Sequence, residues 1–148
     1  MKEVIVYAAV AVVLIVCAVA DIKKQEISVW LFVILGIAAI VGCVTCEEQR
    51  GYMIVVSMLP GVLLMILAKV TEQSIGYGDG MILAEIGLAA GVGKCMLILA
   101  AALAMAGIFS LGVIVIKKVD KKYTIPFVPF ITVAYVVVFC LQGEIVIG

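Results

Sequence analysis

Met81-Ile82-Leu83-Ala84-Glu85-Ile86-Gly87-Leu88-Ala89-Ala90-Gly91-Val92-Gly93 decides the fold, because the number of membrane crossings turns on this run. About 13 residues at ~1.5 Å each cover only ~20 Å of a ~30 Å hydrocarbon core. The apolar runs around it are longer: Val4 to Ala20, Val29 to Cys46 and Met53 to Ala68 before it, Cys95 to Ile116 and Pro126 to Leu141 after it. Charge bias arbitrates. If the short run crosses, the segments after runs one, three and five share a face carrying Lys23, Lys24, Lys69, Lys117, Lys118, Lys121 and Lys122, against Lys2, Arg50 and Lys94 opposite. If it does not, the cluster Lys117 to Lys122 is separated from Lys23 and Lys24 and the asymmetry is lost. The positive-inside rule then puts the lysine-rich face in the cytoplasm and both termini outside. The expected fold is an all-α integral membrane protein, a bundle of six transmembrane helices with a short fourth helix. It forms a single domain over residues 1–148, with no soluble domain at either end. Gly87 and Gly91, with Gly80 and Ala84 nearby, give a small-xxx-small spacing that permits close helix contact.

Composition agrees with a membrane solvent: 67% of the residues are hydrophobic and 14% charged, and the mean hydropathy is +1.39. Ten basic and ten acidic groups balance, so nothing points to nucleic acid as a partner. The chain has no His, which excludes a Ser-His triad, an HExxH zinc site and a His-ligated haem. Hydrolysis would have to rest on carboxylates, Lys or Cys. Lys2, the first apolar run and Ala18-Val19-Ala20 imitate a signal peptide that would be cut before Asp21. Glu3 cancels Lys2, however, the run is long for such a signal, and five more apolar runs follow.

Two carboxylates fall at membrane boundaries on the predicted cytoplasmic face. Asp21 follows the first span, and Asp79, in Gly76-Tyr77-Gly78-Asp79, precedes the fourth. A lone boundary Asp is ordinarily a solvated charge. Two at the same depth can share a proton and activate water, which is aspartyl protease chemistry, if packing of helices one and four brings them together. Glycines at 76, 78 and 80 clear side chains from the approach to the helix and allow positive φ. Asp79 then sits at a helix N-terminus, where it can cap free amides and where the dipole favours charge. Asp21 sits at a helix C-terminus, where the dipole disfavours it. Asp79 is therefore expected to be the more acidic member and Asp21 the proton carrier, titrating as a coupled unit.

These residues resemble the type IV prepilin peptidases, including the related archaeal preflagellin peptidases. Asp21-Ile22-Lys23-Lys24-Gln25-Glu26-Ile27-Ser28 is similar to the family's first-aspartate motif, with Ser28 in place of a Pro. Ile75-Gly76-Tyr77-Gly78-Asp79, followed by Gly87, resembles the GxGD motif, in which Met81 stands where many members have Lys. Ile125-Pro126-Phe127-Val128-Pro129-Phe130 resembles the proline-phenylalanine start of the last span. The resemblance implies a membrane aspartyl endopeptidase that removes the basic leader from pilin-like precursors at the cytoplasmic face. Asp21 and Asp79 match the catalytic pair, and Gly76 and Gly78 the supporting glycines. It implies no cofactor and no metal. Larger members carry an N-terminal domain with paired CxxC motifs, linked to methylation; this chain looks like the short form, for which cleavage without methylation is expected. The partners implied are a pilin-like precursor and the lipid bilayer. The competing readings are a membrane transport or assembly subunit using the two Asp for cations or protons, and a presenilin-like GxGD protease. The latter proteins are longer and differ around the first aspartate.

The remaining polar groups have quieter readings. Cys43-x-x-Cys46 has no second CxxC, and a zinc site would need two further ligands. The cysteines are read as small packing residues, with an outer disulfide among Cys43, Cys46, Cys95 and Cys140 as the alternative. Glu85 lies about 240° around the helix from Asp79 at ~100° per residue, off its face, and is expected to satisfy a neighbouring helix. The loop from Lys117 to Lys122 reads as a topological and lipid anchor, and Glu26, Glu72 and Asp120 as attractors of a basic leader. Pro126 is expected to begin the last helix, Pro129 to shape its first turn and Pro60 to kink the third span.

Overall fold

The computed structural model describes residues 2–24, 28–45, 51–70, 76–117 and 125–142. Those residues form six helices: α1 Lys2–Lys24, α2 Val29–Thr45, α3 Tyr52–Val70, α4 Tyr77–Ala90, α5 Val92–Lys117 and α6 Val128–Leu141. By length and composition, Val4–Lys24 of α1, Tyr52–Val70 and Val92–Ile116 can each cross a membrane, while α2 and α6 are shorter apolar helices. The expectations placed on Glu26, Cys46, Arg50, Glu72, Lys118, Asp120, Lys121 and Lys122 lie outside the described residues.

α4 is the central element. It packs most extensively on α3, then on α2 and α5, and touches α1. Its sequence has no polar stripe, and a helix apolar all round belongs in an interior; Ile82, Leu83, Ile86 and Ala89 are accordingly buried. Its contact with α3 depends on small residues. A Cβ on Gly61 would run into the backbone of Ala84, one on Gly87 into the carbonyl of Ser57, and one on Gly80 would lie 3.0 Å from the carbonyl of Gly61. The small-residue face foreseen in the sequence is thus Gly80, Ala84 and Gly87, met by Ser57 and Gly61 of α3. Gly91 is not part of it. At φ 87° it ends the helix, with its N–H bonded to Gly87 O at 2.8 Å.

The sequence expectation of a fourth helix over 81–93 shifts toward the N-terminus. Gly76, with φ −64° and ψ 125°, is the N-cap, and the Asp79 amide bonds back to Gly76 O at 3.1 Å. Asp79 is therefore inside the first turn of α4 instead of ahead of it. At the other end Gly91 breaks the chain before Lys94, leaving a single residue between α4 and α5. α6 also begins later than expected, at Val128, because Phe127 is its N-cap and Pro129 occupies the second helical position.

Contacts fix which ends of the helices lie together. Gly42 meets Val6 and Ala89, and Gly36 meets Glu85, so α2 runs against α1 and alongside α4. Tyr135 of α6 bonds to Tyr7 of α1, and Val128 bonds to Asp21, so these two helices are antiparallel. Asp21, Asp79, Met65 and the start of α6 consequently share one end of the bundle. Tyr7, Tyr52, Phe139 and Lys94 share the other, where the Lys94 ammonium stands 5.2 Å from the ring centres of both Tyr7 and Phe139. A cleft of about 360 Å³ opens at that second end between Tyr7, Tyr52, Ser57, Gly91 and Lys94; neither aspartate lines it.

Candidate active site

Asp21 occupies the last turn of α1 and Asp79 the first turn of α4, and the two are 8% and 7% exposed. Such burial separates them from ordinary boundary charges, which remain in water. They lie at the same end of the bundle, on helices α1 and α4 that touch. The two carboxylates predicted from separate motifs are therefore brought to one end of the bundle, each of them buried. Neither sits at the rim, because α3 continues five residues beyond Met65, the partner of Gly80, to Val70, and α1 three beyond Asp21 to Lys24.

Each aspartate is held differently. Asp79, third in its helix, turns its carboxyl back onto the N-cap residue Gly76. A Cβ on Gly76 would stand 2.8 Å from Asp79 Oδ2. A side chain at this position would have to displace the carboxyl. The sequence reading invoked positive φ here, and the structure corrects it: Gly76 is extended, and the positive-φ glycines among the described residues are Gly51 and Gly91. Gly78 lies in the first turn of α4.

Asp21 is held by a helix the sequence reading did not connect with it. Its Oδ2 accepts a hydrogen bond from the Val128 amide at 3.3 Å. That amide opens α6, so a positive helix end faces a carboxyl that also sits at the negative end of α1. The two helix ends oppose one another at Asp21, and the inequality argued from the α1 dipole no longer follows. Val128 and Thr132 are the residues missed in sequence. The available signal was an amide placed between Pro126 and Pro129, which have none, and a threonine hydroxyl in an apolar run.

Glu85 does not satisfy a neighbouring helix as expected. Its carboxyl lies by Gly36 of α2, and Oε2 is buried with no hydrogen-bond partner among the described residues. The described thiols, Cys17, Cys43, Cys95 and Cys140, are free. Cys17 and Cys95 are buried, and Cys95 Sγ donates to Leu83 O at 3.4 Å, as packing cysteines do. Cys46 lies outside the described residues.

Fold and site define a bundle of apolar helices with two buried carboxyls at one end. The model of the type IV leader peptidase family matches residues 8–111, which is more than half of the chain and includes both Asp21 and Asp79. The chain belongs to the type IV leader peptidase family, and family and apolar helices together make it a membrane protein. Comparison with curated proteins and with solved structures gave no match.

Proposed function

We propose that this protein is an aspartyl endopeptidase of the cytoplasmic membrane that removes the basic leader from type IV pilin-like or archaeal flagellin-like precursors. The observation that carries the reading is the convergence of Asp21 and Asp79, both buried, at one end of the bundle on the touching helices α1 and α4. Lys24 and Lys69 belong to helix ends on that same side. By the positive-inside rule it is the cytoplasmic side, which with six crossings leaves both termini outside.

Two neighbouring carboxyls cannot comfortably both be ionised, so the pair holds one proton between them. The ionised member takes a proton from water as the water oxygen bonds to the scissile carbonyl carbon. The protonated member gives its proton to the carbonyl oxygen, forming a neutral diol. The diol collapses when the C–N bond breaks: the proton taken from water passes to the leaving nitrogen, and a diol hydroxyl returns its proton to the other carboxyl. A buried recess supports this chemistry by raising the strength of each electrostatic contact.

The test is co-expression with a pilin-like precursor bearing a basic leader and a hydrophobic helix. Asp21→Asn and Asp79→Asn should each abolish leader removal while the protein still inserts in the membrane. Retention of cleavage in either variant would sink the reading and favour a non-catalytic role for the carboxyls.

A further inference from the structure

α6 lies beyond residue 111, where the family match ends, yet it supplies the hydrogen bond to Asp21. That bond is one rung of a ladder. Tyr135 Oη donates to Tyr7 O at 3.2 Å, Thr132 Oγ1 to Leu14 O at 3.2 Å, and the Val128 amide to Asp21 Oδ2 at 3.3 Å. On α1 the acceptors, Tyr7, Leu14 and Asp21, recur every seven residues, which keeps them on nearly one line along a helix. The donors on α6 fall on one face in the reverse order.

The local sequence leaves the Val128 amide available for this purpose. First-turn amides have no acceptor within their own helix. Pro126 and Pro129 carry no N–H, while the amides of Phe130 and Ile131 are spent on Phe127 O at 3.0 and 3.2 Å. Thr132 lies one turn on. Its hydroxyl shares one proton between Leu14 O and Val128 O, the latter at 2.9 Å, and so ties the first turn of α6 to α1. Thr132 is 6% exposed, and in that apolar setting its hydroxyl has no water to turn to.

We propose that α6 is a positioning device for Asp21: the Val128 amide fixes the orientation of the carboxyl, and Thr132 fixes where along α1 that amide is presented. The proposal rests on the reading of Asp21 as a catalytic residue. Val128 and Thr132 are positioning residues that touch no substrate, so their loss acts on turnover more than on precursor binding.

The test uses the full-length enzyme in bilayer nanodiscs with a purified precursor, measuring kcat and KM separately. In Thr132→Val, which keeps shape and deletes the hydroxyl, kcat should fall about tenfold with KM within about twofold, since small misplacements of a catalytic group weigh on the rate. Thr132→Ser restores the hydroxyl and should recover kcat. Replacing Val128 by its α-hydroxy acid analogue, which deletes only the N–H, should lower kcat by a similar factor. Unchanged kcat in the ester variant overturns the proposal, as does a loss in Thr132→Val that Thr132→Ser fails to recover or that falls wholly on KM. Asp21→Asn, measured in parallel, separates the two levels. If Asp21→Asn is inactive and the ester variant is fully active, only the positioning role fails; if Asp21→Asn still cleaves, the catalytic reading itself fails.

Discussion

The seam between α3 and α4 and the seam between α1 and α6 each present one aspartate, and they are built on opposite principles. α3 and α4 meet backbone to backbone, with Gly61, Gly80 and Gly87 where any side chain would collide with the other helix. α1 and α6 meet through large rings, Tyr7 of α1 against Phe139 of α6 at 4.6 Å between centroids, with Phe139 itself backed by Tyr135 one turn away on α6, and with hydrogen bonds across the seam. The first seam is set by shape and tolerates no added atom. The second is set by donors and acceptors and tolerates modest changes of volume. Lipid offers no hydrophobic drive for helix association, so packing and interhelical hydrogen bonds are the two means a membrane bundle has. This bundle uses one for each aspartate.

The comparison breaks most sharply at Gly61. Gly61→Val should destabilise the protein by about 3 kcal/mol or more, because the Ala84 backbone has no room to yield. Gly107→Ala on α5, where a Cβ would meet nothing within 4 Å, should stay within about 0.5 kcal/mol. Reversible unfolding in mixed micelles measures both; equal effects would dissolve the distinction. Next comes Gly76→Ala. Its Cβ would push against Asp79 Oδ2, and a displacement of about half an ångström should lower kcat roughly tenfold while the unfolding midpoint scarcely moves. Precursor turnover alongside thermal unfolding would expose a simple folding defect. The smallest effect belongs to the polar seam: Tyr135→Phe keeps the ring and removes the bond to Tyr7 O, at a cost of about 0.6 kcal/mol. A loss comparable to that of Gly61→Val would make the α1–α6 seam as unforgiving as the glycine one.

The six helices were legible in the sequence because apolar run length and lysine bias are carried by many residues at once. Both aspartates were legible because each stands at the edge of such a run. Helix ends were less so. The α4 start at Tyr77 depends on Gly76 as N-cap, and its stop on the backbone conformation of Gly91, and single glycines do not reveal in sequence which of them will cap. The role of Gly76 was misjudged for a related reason: the space it leaves for Asp79 exists only once the turn has closed. The link from Asp21 to Val128 joins residues 107 apart and runs to a main-chain amide, so no side-chain pattern announced it. The isolation of Glu85 Oε2 likewise depends on what α1 and α2 fail to present, which a single helix cannot disclose.

The brevity of α4 has a bearing on the lipid. Its 14 residues extend ~21 Å, whereas the 26 of neighbouring α5 extend ~39 Å, so the central helix is far shorter than part of its sheath. On the proposed topology hydrophobic mismatch would be borne unequally, with the outer helices tilting to suit the membrane while α4, packed closely on α3, keeps its depth. On the proposed six-crossing topology, a thicker membrane would set the first turn of α4 further below the headgroups and a thinner one nearer to them. With Asp79 acting as proposed, bilayer thickness would become a setting on how far water must descend to reach it.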